Sequence, residues 1–286
     1  MERTELPVIM IDFCHIAPTP HLDLVRDRKT HLLLAHLVED DPDYVKFYSD
    51  LKKNNRGLTY ILDNSAFEMY KQGRQMYPSN KLIEMGERVD ADYIVMSDYP
   101  GESGQRTISA ACYMAPQLKE AGFGTFFVPQ SEIGHIRDYL ETCMWGSRIH
   151  HVDYIGISIL GVPNAYGVEK DNKLQRFVSR WKVLTKLQRM GFFGNVVMNK
   201  KKVHMLGMVD GPNEIDLVKH FRIDTWDSSA AVWTGLNGIC FDGSPTGLLD
   251  GKFELEVDFN HHTTDSSLVN LALDNMAYID GLCADE

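Results

Sequence analysis

Long apolar segments and paired cysteines are both missing from this chain of 286 residues. No apolar run reaches the roughly 18 residues that a membrane-spanning helix needs, and the acidic start differs from the basic leader of a secretory signal. The five cysteines are far apart and never form a CxxC or CxC pair, which argues against a disulfide framework and a zinc knuckle. We therefore expect a cytoplasmic protein with neither a bound metal nor another cofactor.

Basic residues are too few to coat the surface with positive charge. The 29 Lys and Arg against 40 Asp and Glu give a formal net charge of −11, so composition alone does not indicate a nucleic-acid-binding protein. The hydrophobic share of 44% and the charged share of 24% are those of a globular protein. They exclude a disordered, collagen-like or coiled-coil chain.

Glycine-rich nucleotide loops are also absent, since the chain has neither a GxGxxG turn nor a Walker A sequence. Short apolar runs alternate instead with helical patterns, which indicates βα units around a parallel sheet. The predicted strands are 7–11, 31–37, 58–62, 93–97, 125–129, 154–159, 203–206 and 223–226, and the predicted helices are 43–54, 80–89, 105–121, 133–142, 172–190 and 214–220. This alternation favours an α/β fold of the closed (β/α)8 TIM-type barrel class over a doubly wound sheet.

The rhythm weakens after the last predicted strand. A glycine-rich stretch at 235–251 is followed by a polar, strand-like stretch at 252–260 and a closing helix near 266–279. We expect a single domain over 1–286, in which the segment from about 235 to 286 caps the barrel.

Polar side chains follow several predicted strands. Asp63, Asp98 and Asp227 stand at three strand ends, and Gln130 stands at a fourth. One such Asp is best explained as a helix N-cap. Because the carboxyl ends of barrel strands meet at one mouth, three acids and an amide favour a shared polar pocket there.

The order of these segments resembles that of the tRNA-guanine transglycosylase family, most closely its phage branch of 7-deazaguanine DNA transglycosylases. The similar segments are LDNSAFE at 62–68 (family TDSGGFQ), VMSDYP at 95–100, FVPQ at 127–130 (VQG), IGISILG at 155–161 (IGGLAVG), HMLGM at 204–208 (YLMGVG) and IDTWDS at 223–228 (DMFDCV). The chain departs from the family at Ser65-Ala66 and Ser158, where the family has glycines. The family's CxCxxC…H zinc element is missing, and Cys240, Cys283, His261 and His262 are too scattered to suggest a replacement.

The resemblance implies a barrel without the zinc subdomain that exchanges guanine in DNA for a free 7-deazaguanine such as preQ0 or preQ1. It implies that Asp227 is the nucleophile and Asp63 the general acid/base, as two carboxyls divide the work in retaining glycosidases. The implied base-binding residues are Asp98, Gln130, Ser65, Phe67, Gly156, Ser158, Leu206 and Gly207.

Two groups of basic residues are candidates for contact with a nucleic acid. A helical series contains Lys170, Lys173, Arg176, Arg180, Lys182, Lys186 and Arg189, and the run Lys200, Lys201 and Lys202 precedes a strand beside the expected mouth. We expect the run to contact phosphates. Alternatives remain open: the same exchange on tRNA, a barrel lyase or nucleoside hydrolase, and a degenerate barrel that binds a base without turnover.

Overall fold

The computed structural model describes residues 10–208, 211–248 and 257–284. Within them, one sheet of eight parallel strands is nearly closed into a barrel and alternates with helices, which confirms the predicted TIM-type fold. The strands are β1 Asp12–His15, β2 Thr30–Leu34, β3 Thr59–Asp63, β4 Tyr93–Val95, β5 Gly124–Phe127, β6 Tyr154–Ser158, β7 Lys202–Leu206 and β8 Thr225–Ser228. The sheet order is β1-β8-β7-β6-β5-β4-β3-β2.

Helices surround the sheet. A 3-10 helix covers Thr19–Val25, and the α-helices are α1 Ala35–Asp40, α2 Pro42–Asn54, α3 Ala66–Gln72, α4 Ser79–Val89, α5 Gly104–Glu120, α6 Ile136–Arg148, α7 Gly161–Tyr166, α8 Lys173–Arg189, α9 Phe192–Met198, α10 Glu214–Val218, α11 Ala230–Leu236 and α12 Ser266–Cys283. Helices α2, α4, α5 and α8 match the predicted stretches within one residue, whereas α6 begins three residues later and ends six residues later than predicted, and α12 runs four residues beyond 279. The 6–7-residue helices α1, α3, α7, α9 and α11 were not predicted, because fewer than two turns leave little periodicity to detect.

The strand boundaries differ most at the ends of the sheet. The strand expected at 7–11 is Asp12–His15 instead, and residues 7–9 lie outside the described ranges. Strand β2 ends at Leu34 because α1 begins at once. Strand β8 runs on to Ser228 and pairs with β1, so that Asp227 lies opposite Cys14 within the sheet.

Aromatic side chains fill the barrel below its mouth. Phe126 of β5 stacks on Tyr154 of β6 with ring centroids 5.3 Å apart, and Tyr93 of β4 meets Tyr154 edge-on at 4.8 Å. Phe126 also meets the His204 ring of β7 at 5.3 Å. Contacts between strands that are not neighbours require side chains that point inward. The interior is therefore a packed core, as in other barrels of this kind.

The C-terminal segment divides into two parts. The Phe259 carbonyl accepts a hydrogen bond of 2.9 Å from Thr19 N, and the Phe259 ring meets His36 edge-on, so this part lies beside the loops that follow β1 and β2. Helix α12 instead packs along the barrel wall against β1, α10 and α11. Its Asp280 binds His15 at 3.0 Å and Arg28 at 2.8 Å.

The stretch near Phe259 thus lies at the mouth, whereas the closing helix packs against the wall of the barrel. Of the strand-like stretch at 252–260, residues 252–256 lie outside the described ranges, and 257–260 form no strand. Among the described helices, none combines the length and the apolar character that a membrane crossing requires.

Candidate active site

The acids singled out in the sequence lie together at the carboxyl ends of the strands. Asp63 ends β3, and Asp98 follows β4. Asp227 is the next-to-last residue of β8, shortly before α11. Burial raises the pKa of Asp63 well above its usual range, and the charges of Glu68, Asp227 and Asp98 raise it further. Glu68 follows in the first turn of α3, and Asn64, next to Asp63, contacts Asp98. The structure therefore brings the three predicted acids into one cluster at the barrel mouth and adds Glu68.

Asp98 is held between two side-chain amides. Asn64 Nδ2 donates to Asp98 Oδ1 at 2.8 Å, and Gln130 Nε2 donates to Asp98 Oδ2 at 2.6 Å. Burial raises the pKa of Asp98 to about 6, although both hydrogen bonds favour its charged form. Asn64 also donates to the Met96 carbonyl at 2.7 Å, which fixes the amide in place. Asn64 lies in the segment 62–68, but the sequence alone does not indicate that it binds Asp98.

Gln130 carries an acceptor that nothing in the described part of the chain satisfies. The side chain is buried, and its Oε1 has no hydrogen-bond partner there. A Cβ atom at Gly161 would lie 2.8 Å from this oxygen, so only glycine leaves the space beside it free. Buried polar atoms in proteins almost always have a partner. This oxygen is therefore suited to a donor group that a ligand brings.

Asp227 is anchored through one of its two oxygens. His204 Nε2 lies 2.8 Å from Asp227 Oδ1, and Gly207 N donates to the same oxygen at 3.2 Å. Within the described ranges, Asp227 Oδ2 accepts no hydrogen bond. Gly207 adopts a φ of +68°, a left-handed conformation that glycine tolerates best. A carboxylate with one held and one open oxygen is suited to nucleophilic attack.

The turn after β3 carries Asp63. Ser65 N donates to Asp63 Oδ2 at 2.9 Å, and Ser65 has a φ of +55°. The Ser65 hydroxyl is buried against His36, with His36 Nδ1 at 2.9 Å and His36 N at 3.1 Å. The structure therefore gives Ser65 a part in shaping this turn, and its expected part in binding a base stays a prediction.

Two other proposed base contacts are also used by the fold. Ser158 Oγ accepts hydrogen bonds from Leu160 N at 3.1 Å and Gly161 N at 3.2 Å, which begins α7. A Cβ atom at Gly156 would come within 2.7 Å of Leu206 and 2.6 Å of Phe126, so this glycine makes room for its neighbours. The space that a glycine leaves beside Gln130 therefore lies at Gly161, and the base contacts implied for Gly156 and Ser158 stay predictions.

The resemblance also implies that Phe67 and Leu206 contact the base. Phe67 lies on α3 and is 48% exposed, with Lys71 Nζ 4.9 Å from the ring centroid. This exposure argues against a role of Phe67 in the core. Leu206 ends β7, is half-buried and packs near Gly156.

The lysine run is not beside the mouth, and this expectation is wrong. Lys202 begins β7, so the run lies at the amino end of the barrel, opposite Asp227. Lys201 is buried and donates to the Val152 carbonyl, and Lys202 Nζ lies 5.1 Å from the Tyr154 ring centroid. Residues that precede a parallel strand necessarily lie at its amino end. Lys200, with a φ of +53°, forms the turn into the strand.

Basic residues near the mouth come from the start of α8. Lys170 and Lys173 precede and begin this helix, which follows β6 and α7 and so starts at the carboxyl end of the barrel. Arg176 donates to the Lys170 carbonyl at 3.0 Å. Arg180, from the same series, is fully buried and bound to Glu214 at 2.7 Å. Of the helical series, Lys170 and Lys173 therefore lie nearest the mouth, and Arg180 is not available for polymer contact.

Within the described ranges, no three His, Cys, Asp or Glu side chains are grouped so that they could hold a metal ion. His261 and His262 lie near the His21 ring, at 6.5 Å and 6.0 Å between centroids. All five cysteines are free.

His204 is the functional candidate that the sequence did not reveal. It lies on β7 with no exposed surface, and its two ring nitrogens contact Asp227 and Thr225. A lone His in an apolar strand usually indicates a satisfied core residue, and only the pairing with β8 shows its partner.

Neither protein-family models nor curated proteins gave a match to this chain.

Proposed function

We propose that this barrel is a base-exchange transglycosylase, which replaces guanine in DNA with a 7-deazaguanine through a covalent glycosyl-enzyme. The observation that carries the proposal is the cluster of Asp63, Asp98 and Asp227, in which each carboxyl has a different environment. Environments that separate the protonation states of neighbouring carboxyls allow them to divide acid and nucleophile roles.

Asp227 supplies the nucleophile in this proposal. Its open Oδ2 attacks C1′ of the nucleotide and forms a C–O bond as the C1′–N9 bond breaks, and the electron pair leaves with the purine. His204 and Gly207 hold Oδ1 during this step. As in retaining glycosidases, the sugar passes through an oxocarbenium-like state.

Asp63 supplies the proton for the leaving purine. Its raised pKa favours the protonated acid over the carboxylate, so that it can donate to the departing base. The incoming 7-deazaguanine then attacks C1′ with N9, returns its N9 proton to Asp63 and releases Asp227. The proton and the carboxylate are thus both restored at the end of one exchange.

Asp98 and Gln130 supply recognition of the base. The Asp98 carboxylate accepts from the N1–H and exocyclic amine of a guanine-like ring, while the Gln130 amide adds a donor and an acceptor. Adenine lacks this donor edge, and it would leave buried groups unpaired. Such a mismatch permits discrimination by several orders of magnitude.

The choice of DNA and of the 7-deazaguanine rests on the resemblance of the motifs. A guanine within a duplex must be flipped or melted out before C1′ can reach Asp227. The experiment is incubation of the protein with single- and double-stranded DNA, or with tRNA, and labelled preQ0 or preQ1. We expect the label in DNA, and release of one guanine for each label incorporated.

The Asp227→Asn variant is the control, because it keeps the shape of the side chain and removes the nucleophile. Label in tRNA alone would favour the tRNA enzyme, and guanine release without incorporation would favour a hydrolase. Binding of free base without either reaction would identify a degenerate barrel and contradict the proposal.

A further inference from the structure

We propose that Thr225 and His204 form a positioning chain that selects Oδ2 of Asp227 as the attacking atom. Thr225 Oγ1 lies 2.7 Å from His204 Nδ1, and His204 Nε2 lies 2.8 Å from Asp227 Oδ1. This inference rests on the proposed function for its chemical meaning. The chain of hydrogen bonds stands on the geometry alone.

With an ionised Asp227 and a neutral imidazole, the direction of each hydrogen bond follows from the contacts. Asp227 Oδ1 as a carboxylate oxygen only accepts, so His204 Nε2 must carry a proton. In a neutral imidazole the other nitrogen then accepts, and the Thr225 hydroxyl donates to Nδ1. Asp227 therefore selects the Nε2–H tautomer of His204, and Thr225 supplies the donor that satisfies Nδ1 in that tautomer.

The position in the fold makes this chain rigid. Thr225 and Asp227 lie two residues apart on β8 and point to the same face, and His204 lies opposite Thr225 on β7. His204 has no exposed surface, and Thr225 is only 4% exposed. The Phe126 ring packs edge-on against the imidazole. A buried donor on a strand holds its acceptor more accurately than a donor on a loop does.

Two donors on one oxygen have a chemical consequence. His204 and Gly207 both bind Oδ1, so charge on that oxygen is stabilised and the oxygen is held in place. Oδ2, which receives no such bond in the described part of the chain, keeps its lone pairs for C1′. His204 is a positioning residue in this scheme, since it acts on the substrate only through Asp227.

The test combines two substitutions at each position of the chain. His204→Gln keeps an N–H donor near the place of Nε2, whereas His204→Leu removes it with similar bulk. Thr225→Ser keeps the hydroxyl, and Thr225→Val removes it at the same size. The rate of covalent adduct formation is measured at saturating guanine-containing DNA, together with DNA affinity and the melting temperature of each variant.

We expect His204→Leu to slow adduct formation by about 100-fold and Thr225→Val by about 10-fold, as when the support of a reactive group is removed. His204→Gln and Thr225→Ser should recover most of each loss, with DNA affinity unchanged throughout. A wild-type rate in His204→Leu would overturn the proposal. The proposal would also be overturned if His204→Leu and His204→Gln slowed adduct formation equally and in proportion to a fall in melting temperature.

Nitrogen-15 NMR of the labelled imidazole separates this inference from the proposed function. The wild type should show His204 protonated at Nε2, and Thr225→Val should change the Nδ1 resonance, because this nitrogen loses its hydrogen-bond donor. If the wild type forms no adduct with DNA or tRNA, the proposed function fails. The Nε2–H signal then still supports the chain, whereas protonation at Nδ1 alone overturns it in either case.

Discussion

Gln130 Nε2 donates a hydrogen bond of 2.6 Å to Asp98 Oδ2, and this contact orients the Gln130 amide so that Oε1 has no partner in the described part of the chain. The two side chains therefore act as one recognition unit. Asp98 offers an anionic acceptor, and Gln130 offers a neutral acceptor beside the space left by Gly161. The protonation state of Asp98 decides whether this unit is complete.

Stability should depend on pH through Asp98. The ordinary pKa of 3.8 applies to the unfolded chain, and the pKa in the folded protein is about 6. Between these values the folded protein binds a proton that the unfolded chain has lost, so this contribution to the free energy of unfolding falls as pH rises from about 4 to about 6. The full shift corresponds to about 3 kcal/mol.

Asp98→Asn removes this titration, so its free energy of unfolding should fall less steeply with pH than that of the wild type. Urea denaturation at pH 4, 5, 6 and 7 measures the difference. Asp171→Asn, in an exposed loop, is the matched control and should follow the wild type. Parallel pH curves for Asp98→Asn and the wild type would show that Asp98 is not the titrating group.

The rate of base release should fall as pH rises through the raised pKa of Asp63, because only the protonated carboxyl can donate to the leaving purine. Glu68 is the largest charge effect on that pKa, after burial. Glu68→Gln should therefore move the falling limb of the profile to lower pH. Single-turnover guanine release between pH 5 and pH 9 measures it, with Glu84→Gln on the exposed face of α4 as control. An unmoved limb in Glu68→Gln would reject this coupling.

A buried ion pair holds the segment that carries Gly207. Arg180 binds Glu214 at 2.7 Å with no exposed side-chain surface, and its Nη2 donates to the Gly207 carbonyl at 2.9 Å. Arg180→Met removes the guanidinium from this buried pair and leaves the Glu214 charge in the interior. We expect it to lower the free energy of unfolding by about 3–5 kcal/mol.

The paired variant Arg180→Met with Glu214→Leu should recover part of that loss, because it removes both charges. Arg137→Met breaks the exposed pair with Glu141 and should change the free energy of unfolding by at most about 1 kcal/mol. Chemical denaturation compares all three. Equal effects of Arg180→Met and Arg137→Met would contradict the assigned importance of the buried pair.

Polymer contact should come from the start of α8. Lys170→Glu with Lys173→Glu places acids near the mouth, and we expect DNA affinity to fall by about 10-fold or more and the salt dependence to weaken. Lys182→Glu with Lys186→Glu, further along the same helix, and Lys200→Glu, at the amino end of the barrel, are controls. Fluorescence anisotropy at several salt concentrations measures affinity. A loss in Lys200→Glu equal to that of the double variant would show that DNA binds elsewhere.

The barrel was predictable because each strand is a short apolar run and each long helix has its own periodicity. The acids at strand ends were predictable for the same reason, since parallel strands bring their carboxyl ends together. The helix Ala66–Gln72 was not predictable, because its seven residues form fewer than two turns and show little periodicity. The position of Glu68 beside the acids was therefore not predicted.

Lateral contacts could not be predicted from the sequence. His204 and Thr225 are 21 positions apart, and only the register of β7 with β8 places them side by side. The lysine run was misplaced because a run before a strand was assigned to the mouth, although the direction of the strand puts it at the other end. Likewise, the sequence shows the hydroxyls of Ser65 and Ser158 but not their partners within the fold, which are His36 and the backbone at Leu160.

The central claim is that Asp227 bonds covalently to the sugar, and peptide mapping of the trapped adduct tests it most directly. The protein is incubated with a guanine-containing oligonucleotide, quenched in acid and digested, and the modified peptide is located by mass spectrometry. We predict one sugar-linked peptide that contains Asp227, absent from Asp227→Asn and accumulating when no 7-deazaguanine is supplied. Base exchange without an adduct, or an adduct on another residue, would contradict the account.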